Sequence, residues 1–504
     1  MEWAWADGRF WLLQARPITA PGAADRAFVR GRLIVKLAEL AEPGGTVWSR
    51  FNVPEGMPEP TWMTWELVSR LLSGRGGCGL MYRDLGYGRQ ASAAEESVYD
   101  VIAGRVYCNL SREARRHPGW LPVEYPFAAL KADPLKALAP QPVRDPSRAG
   151  PLFWLLLPLR LPFLTAAAVR RLVRLGALSS HFADHFRQEV LPAFDTEVER
   201  AAAEDWSRLD QPALLERFDF WVRRTLDEFA RDSLKPTALA TVARAGLEGW
   251  LRRKLGPERA RAALGELSMG IKPDPEADLP GALRDLAEGR MSREEFLKRF
   301  GHRGSQDMEL AQPRWAEDPS ALDHLPLPVE VPAGDEPARR WEKVAAEAGL
   351  SALERAALDP QVKALHTYLG LRETAKHHFM RGYALIRRAL VELDRRHRLQ
   401  GGIFFLVPEE LPHLGQGTYP IAGLIADRRR FRAAALTLEL PPVIFSDDLD
   451  AIGRPVPVEG ADILQGLPLS AGTAEAPALV LHEPRTDGLP AEPYVLVCPS
   501  TDPA

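Results

Sequence analysis

Several features that would point to a particular class of protein are scarce in this sequence. Its 504 residues contain only three cysteines, Cys78, Cys108 and Cys498, which are too few and too far apart for a disulfide framework or a zinc site. The net charge is -4 at pH 7, which excludes a globally basic nucleic-acid-binding protein. The first residues show neither a basic segment nor a long apolar run, so no targeting signal is recognisable. We therefore expect a cytoplasmic protein without a nucleic-acid partner.

Long apolar runs are also scarce, and the main one lies at residues 151–169. A run of about 19 residues is long enough to cross a bilayer. It carries Arg160 near its middle, however, and prolines at positions 151, 158 and 162, which remove helical hydrogen bonds that lipid cannot replace. We expect a helix or loop packed on the body of the protein and no membrane partner, with a membrane contact as the alternative.

Segments with helical periodicity are common in the sequence. Apolar residues recur with helical spacing over residues 24–41, 166–189, 213–231, 238–255, 338–357 and 362–396. Regular alternation of strands and helices is missing, so a (β/α)₈ barrel is not expected. The sequence therefore predicts a mainly α protein, with one large helical region from about residue 23 to residue 455.

The two ends of the chain have β character. Residues 2–6 and 10–15 are short apolar segments on either side of Asp7-Gly8, a strong turn signal, so they predict a β-hairpin. Residues 494–498 are typical of a buried strand. Because an isolated hairpin is only marginally stable in water, we interpret both ends as interior pieces of longer domains.

Motifs at both ends resemble those of the phosphoenolpyruvate (PEP)-utilising enzymes. The pattern E-W-A…D-G…L-Q-A-R-P-I-T at residues 2–19 resembles the last hairpin of the ATP-grasp nucleotide domain in phosphoenolpyruvate synthase, pyruvate phosphate dikinase and rifampin phosphotransferase. The runs G-L-P-L-S-A-G-T-A at 466–474 and P-S-T-D-P at 499–503 resemble the opening of the swivelling phosphohistidine domain. Without a barrel, the architecture resembles that of rifampin phosphotransferase most.

The resemblance implies three parts in the chain. Residues 1–22 would be the C-terminal hairpin of the ATP-grasp domain, and residues 23–455 a mostly helical acceptor-binding domain. Residues 456–504 would be the β-rich start of a swivelling β/α domain. The fold class implied is mainly α, flanked by small β remnants.

The resemblance also implies ATP and Mg²⁺ as cofactors of the complete enzyme. Glu2, Gln14 and Arg16 match the family positions that contact metal and phosphate. A carboxylate such as Glu2 suits Mg²⁺, and the planar fork of Arg16 suits phosphate. Gln14 and Arg16 are two residues apart on a strand, so they belong to one face. A solvent-facing polar stripe is the alternative that spacing alone allows.

A second group of candidates lies in the helical region. The run L-R-E-T-A-K at residues 371–376 resembles a family motif, which implies that Arg372 and Lys376 contact the acceptor and the incoming phosphoryl group. Residues four apart share a helix face, and two cations there are favourable when an anion lies between them. The alternative is a solvated helix face neutralised by neighbouring carboxylates.

The run G-H-R-G…D-M-E-L at residues 301–310 resembles another family motif. It supplies four substrate-binding candidates, which are His302, Arg303, Asp307 and Glu309. His302 could orient a substrate or act as a base, or it could be a buried loop histidine bonded to the backbone. Asp307 and Glu309 could balance the nearby arginine and lysine charges, or simply form a structural ion-pair network. Four aromatic residues could line an apolar acceptor pocket or fill a core: Trp62, Trp65, Tyr82 and Tyr87.

The reaction of the family is a relay, in which a histidine of the swivelling domain takes the β-phosphoryl group of ATP and passes it to an acceptor. None of the eleven histidines lies in the T-S-H-x-A-I motif that carries this role. The resemblance therefore implies the central fragment of an ATP-dependent, dikinase-type phosphotransferase that is inactive by itself. One partner would be a small-molecule acceptor that resembles either pyruvate or a hydroxylated antibiotic. The missing ATP-grasp and phosphohistidine segments, supplied by adjacent genes, would be the other partners.

Two alternatives to this interpretation stay open. One is a non-catalytic helical protein that binds small molecules and derives from the same family. The other is a piece of phosphoenolpyruvate synthase itself, which would require a barrel further along the chain.

Overall fold

A computed structural model describes most of the chain, and its secondary structure is mainly helical, as the sequence predicts. The described residues are 2–6, 9–14, 22–51, 57–87, 97–116, 123–144, 151–324, 336–417, 419–454, 475–481, 490 and 492–497.

The helices of these ranges follow the apolar periodicity of the sequence. They are α1 (Ala23–Leu40), α2 (Trp62–Leu72), α3 (Gly77–Asp84), α4 (Leu110–Arg116), α5 (Phe127–Ala132), α6 (Pro151–His185), α7 (Leu191–Ala203), α8 (Gln211–Val222), α9 (Ala230–Ser233), α10 (Lys235–Leu255), α11 (Pro257–Ser268), α12 (Leu279–Ala287), α13 (Arg293–Phe300), α14 (Pro337–Glu347), α15 (Ala352–His397) and α16 (Ile421–Leu436). Wider π-helical turns join α6 to α7 and α8 to α9.

The helix predicted over residues 338–357 is divided in the structure, so that prediction was wrong. Helix α14 ends before Gly349, which adopts a left-handed φ of 59°. Ser351 then caps a new helix, because its side chain accepts a hydrogen bond from the Glu354 N–H while Glu354 bonds back to the Ser351 N–H. Helix α15 therefore starts ten residues before the predicted segment and continues through Pro360.

Four of the ten described strands form one small sheet, and the other six form three two-stranded pairs. The strands are β1 (Glu2–Ala6), β2 (Arg9–Gln14), β3 (Val47–Ser49), β4 (Tyr99–Ile102), β5 (Arg105–Asn109), β6 (Val123–Glu124), β7 (Val143–Arg144), β8 (Val443–Phe445), β9 (Ala478–Val480) and β10 (Val495–Val497). The order β4-β5-β3-β8 is antiparallel throughout. Trp48 of β3 pairs with Ile444 of β8, so this sheet brings together two segments that are far apart in the sequence.

The predicted β-hairpin at the start of the chain is confirmed by the antiparallel pairing of β1 with β2, in which Glu2 is the partner of Gln14. Its turn at residues 7–8 lies outside the described residues. At the other end, β9 and β10 pair in parallel. No (β/α)₈ barrel forms in the part of the chain that the structure describes.

The main hydrophobic core surrounds α15. Tyr368, Leu371, Met380 and Tyr383 on this helix are completely buried. Helix α15 packs most extensively on α10, and it also contacts α7 and α8. Because its side chains are buried in this way, α15 fixes the positions of the polar residues that lie between them, which include Arg372 and Lys376.

The apolar run at residues 151–169 forms the N-terminal half of α6. Of the two predicted forms, helix or loop, the structure shows the helix. The prediction that this run packs on the body is wrong, because Leu155, Leu159 and Phe163 are between 70% and 78% exposed. Only the following half, from Leu175 to Phe182, contributes buried residues to the core. No helix within the described ranges combines the length and apolarity that crossing a bilayer requires.

Candidate functional site

The loop that follows α13 carries the four substrate-binding candidates, and its backbone folds back on itself. The Trp315 N–H donates to the Arg303 carbonyl and the Ala316 N–H to the Gly301 carbonyl, both at 2.8 Å. Gly301 is required at this point, because a Cβ there would lie 2.3 Å from the Leu297 carbonyl oxygen. The loop therefore presents its charged side chains from a fixed backbone.

Asp307 is the centre of a buried ion-pair cluster, called here the Asp307 cluster, which also contains Arg303 and Lys376. The Arg303 Nε donates to Asp307 Oδ2 at 2.8 Å, and the Gly304 N–H donates to Oδ1 at 3.0 Å. The Lys376 Nζ lies 3.6 Å from Oδ2. Burial raises the pKa of Asp307, but the charges of Arg303 and Lys376 outweigh burial, so the pKa is lowered and the carboxylate is ionised.

The two cations of α15 have different surroundings. Lys376 is 42% exposed and is held beside Asp307, so one side of its ammonium group faces solvent. Arg372 is 48% exposed and pairs with its neighbour Glu373, with Nη2 and Oε1 2.7 Å apart. The structure thus brings Lys376 into the Asp307 cluster and leaves Arg372 outside it.

His302 lies against the backbone of α15, as one of the two alternatives for this residue predicts. Its Nε2 is 3.2 Å from the His377 carbonyl oxygen, and the two imidazole rings are 4.7 Å apart. Burial, together with the positive charges of Arg303 and Arg381, holds the pKa of His302 well below its usual value. His302 is therefore neutral at pH 7 and has a structural position.

Two further buried histidines, His377 and His378, lie on α15 next to His302. His378 pairs through Nδ1 with Asp195 at 2.8 Å, while the Nδ1 of His377 and the Nε2 of His378 have no hydrogen-bond partner among the described residues. No group of three or more His, Cys, Asp or Glu side chains in the described ranges is placed to hold a metal ion.

Glu309 joins the loop to helix α2. Its carboxylate accepts hydrogen bonds from the Thr61 N–H, the Thr61 and Thr64 hydroxyls and the Ala311 N–H, at distances of 2.7–2.9 Å. Thr61 is the N-cap residue of α2, where a negative charge is favourable because the N-terminus of a helix has partial positive charge. Glu309 therefore fixes the start of α2 relative to the Asp307 cluster.

A cleft of about 1110 Å³ lies on the other side of Thr61. It is bounded by α1, α2, the turn between β4 and β5, and α16. Its aromatic walls are Phe28, Trp62, Trp65, Tyr99 and Phe431. A large concave surface with apolar walls and a few polar groups is the usual form of a small-molecule site.

Charged side chains surround the aromatic walls of the cleft. Arg428 lies 6.0 Å from the Trp62 ring centroid and forms an ion pair with Glu410 at 2.7 Å. Arg32 lies 5.7 Å from the Phe28 ring centroid and 5.9 Å from that of Phe431, and so connects α1 with α16. The pKa of Glu66 is raised, mainly by burial. The cleft therefore offers both apolar surface and hydrogen-bonding groups.

Sequence reasoning found only part of this cleft. Trp62 and Trp65 line it, but Tyr82 and Tyr87 pack against the main core instead, with their rings 5.5 Å apart. The contributions of α1 and α16 were missed. The sequence does contain a signal for α1. Phe28, Arg32 and Val35 follow helical spacing on a different face from the buried core residues of this helix.

The residues expected to bind ATP and Mg²⁺ remain predictions. Glu2 and Gln14 belong to the described hairpin backbone, but the structure does not describe their side chains, and Arg16 lies outside the described residues.

The comparisons with known proteins match the helical region that carries the site loop. Residues 237–373 match the family described as the rifampicin phosphotransferase fourth domain. Over this segment, the chain is similar to the rifampicin phosphotransferases, which are PEP-utilising enzymes. The segment contains His302, Arg303, Asp307, Glu309 and Arg372, and it ends three residues before Lys376.

The chain is also similar to the rifampicin phosphotransferase of Streptomyces sviceus. The two sequences are 27% identical over 266 residues, which cover 47% of this chain and 30% of the Streptomyces protein. The resemblance to rifampin phosphotransferase found in the sequence motifs is thus confirmed, with partial coverage of both chains.

Proposed function

We propose that this chain forms the acceptor-binding region of an ATP-dependent phosphotransferase. In the proposed reaction, ATP and water give AMP and inorganic phosphate, and the β-phosphoryl group passes through a phosphohistidine to a hydroxyl oxygen of the acceptor, which releases its proton. ATP and Mg²⁺ would be bound near Glu2, Gln14 and Arg16. The phosphohistidine would come from a swivelling domain.

The observation that carries the proposal is the connection between the cleft and the Asp307 cluster. Thr61 lines the cleft and is bonded to Glu309, and Glu309 belongs to the same loop as Arg303 and Asp307. A cleft for the acceptor and a held cation for the phosphoryl group are thus parts of one rigid arrangement. Such preorganised positive charge is the main means by which proteins stabilise phosphoryl transfer.

Lys376 is the residue best placed to act on the phosphoryl group. Its ammonium group is partly exposed, while Asp307 fixes its position. Arg372 lies one helical turn away, and its bond to Glu373 is exposed and therefore easily exchanged for a bond to phosphate. We infer that these two side chains contact the transferred group, and that Asp307 and Arg303 position Lys376.

The size of the cleft supports one of the two kinds of acceptor. A volume of about 1110 Å³ suits a drug-sized molecule and far exceeds that of a pyruvate-like acid. The aromatic walls favour a largely apolar acceptor that carries hydroxyl groups. Because the Streptomyces relative is named for rifampicin, this hydroxylated antibiotic is the appropriate first probe.

The binding step can be tested by isothermal titration calorimetry with rifampicin. We expect saturable binding by the unmodified chain without ATP, and at least about tenfold weaker binding by Trp62→Ala, because a central aromatic contact is lost. Trp154→Ala on α6, outside the cleft, is the matched control and should bind like the unmodified chain. Equal binding by Trp62→Ala would show that the cleft is not the site, and no binding at all would contradict the proposed acceptor class.

A further inference from the structure

The N-terminal half of α6 is an apolar surface that the described protein leaves uncovered. Leu155, Leu159 and Phe163, spaced four residues apart along one face, are 74%, 70% and 78% exposed. Leu161 and Val169 are also exposed, so the apolar surface extends around the helix. A helix that is apolar on all sides is normally buried in protein or in a membrane, and large exposed apolar patches mark interaction sites.

The helix is anchored by its other half. Phe182 is buried against the ring of Tyr368, with centroids 6.5 Å apart, and the Tyr368 hydroxyl donates to the Ser179 carbonyl at 2.7 Å. The Arg171 Nε donates to the Gly86 carbonyl. Residues 154–170 therefore extend from a firmly held base, and the residues that the structure describes leave them exposed.

The charge of this segment is entirely positive. Arg160, Arg170, Arg171 and Arg174 lie on α6, and the first acidic residue of the helix is Asp184. A second copy of the same helix would bring arginines next to arginines without any carboxylate to balance them. Anionic lipid headgroups would neutralise them instead, and each arginine near such a surface adds to the attraction.

The prolines of α6 determine how it would meet a lipid surface. Pro158 and Pro162 have no N–H, so the carbonyls of Trp154 and Pro158 cannot accept the usual helical hydrogen bond. In the hydrocarbon interior such carbonyls would be costly. At the headgroup level, water reaches them while the leucine and phenylalanine side chains enter the acyl region.

We propose that residues 154–174 of α6 bind an anionic lipid surface and lie in its plane. This inference does not depend on the proposed phosphotransferase function, and it opposes the expectation from the sequence that the chain has no membrane partner. The cleft and the Asp307 cluster would remain in the aqueous phase, on the helices that carry the base of α6.

Co-sedimentation with vesicles tests this inference. The probes are vesicles of phosphatidylcholine alone and of phosphatidylcholine with one quarter phosphatidylglycerol. We expect the unmodified chain to sediment with the anionic vesicles, more weakly at high salt, and to bind neutral vesicles much less. The double variant Leu159→Glu/Phe163→Glu should bind at least tenfold more weakly, and Arg160→Gln, Arg170→Gln and Arg174→Gln should each weaken binding roughly fivefold.

The control for an added carboxylate is Leu353→Glu, which places one glutamate at an 83% exposed leucine of α15 and should bind like the unmodified chain. Circular dichroism confirms that the variants fold, which is expected because the substituted positions are exposed. The inference is overturned if the unmodified chain ignores anionic vesicles, or if the double variant still binds them. It is also overturned if sedimentation velocity shows a dimer that the double variant dissociates, while no vesicles are bound.

Discussion

At the scale of single residues, the site depends on one buried carboxylate. Asp307 neutralises Arg303, which is almost completely buried, and it also holds Lys376. Removing one partner of a buried ion pair leaves an uncompensated charge. The sequence predicts an ion-pair network for Asp307 and Glu309 as one of two alternatives. The structure shows this network for Asp307, whereas Glu309 accepts hydrogen bonds from threonines and backbone N–H groups. The bonds of Asp307 also position Lys376.

Asp307→Asn should lower the free energy of unfolding by about 3–5 kcal/mol, because the Arg303 guanidinium loses its buried counter-charge. Urea denaturation followed by circular dichroism measures this value. Lys376→Met removes the partly exposed member of the same cluster and should lower the free energy of unfolding by less than about 1 kcal/mol. Equal effects of the two substitutions would contradict the description of Asp307 as the centre of the cluster.

The buried histidines make stability depend on pH. Burial, followed by the effect of His302, lowers the pKa of His377 far below its usual value, and the pKa of His302 is lowered as well. Both are neutral in the folded protein, whereas the unfolded chain takes up protons below about pH 6.5. Their stabilising contribution is therefore complete above pH 6.5 and is lost as the pH falls below it.

Between pH 7.5 and 5.5, each of these two histidines should reduce the free energy of unfolding by about 1.4 kcal/mol. Urea denaturation at the two pH values measures the change in the free energy of unfolding. His377→Gln should make this change smaller by about 1.4 kcal/mol, the contribution of one histidine. His181→Gln, at an exposed position of α6, should leave the difference unchanged. An unaltered pH dependence in His377→Gln would show that this histidine is not held neutral.

At the scale of elements, the start of α2 connects the two halves of the site. Glu309 accepts four hydrogen bonds there, three of them from Thr61 and Thr64. Glu309→Gln keeps the shape but exchanges one acceptor for an NH₂ group, so that buried donors lose their partner. We expect a loss of about 2–3 kcal/mol in the free energy of unfolding and weaker rifampicin binding, because α2 carries Trp62 and Trp65.

Two measurements check this prediction, namely urea denaturation and the calorimetric titration. Glu373→Gln, at an exposed carboxylate of α15, should change the stability by no more than about 0.5 kcal/mol. A Glu309→Gln protein that binds rifampicin as the unmodified chain does would separate the loop from the cleft and remove the connection on which the proposed function rests.

At the scale of the whole molecule, the sequence predicts the helical fold class and most helices, because their apolar spacing is a local property. The site loop and Lys376 could also be predicted, since motifs carry them. The cleft could not, because α1, α2 and α16 meet only through long-range contacts such as the pairing of β3 with β8. The exposure of α6 was likewise missed, since an apolar pattern does not show what surrounds it.

In the proposed function, the cleft binds the acceptor and is connected to the Asp307 loop through Thr61 and Glu309. Hydrogen–deuterium exchange with and without rifampicin tests it most directly, because exchange reports protection segment by segment. We expect rifampicin to slow exchange in α1, in the first turn of α2 and in α16, with no change in α6. Protection confined to other segments, or none at saturating rifampicin, would contradict it.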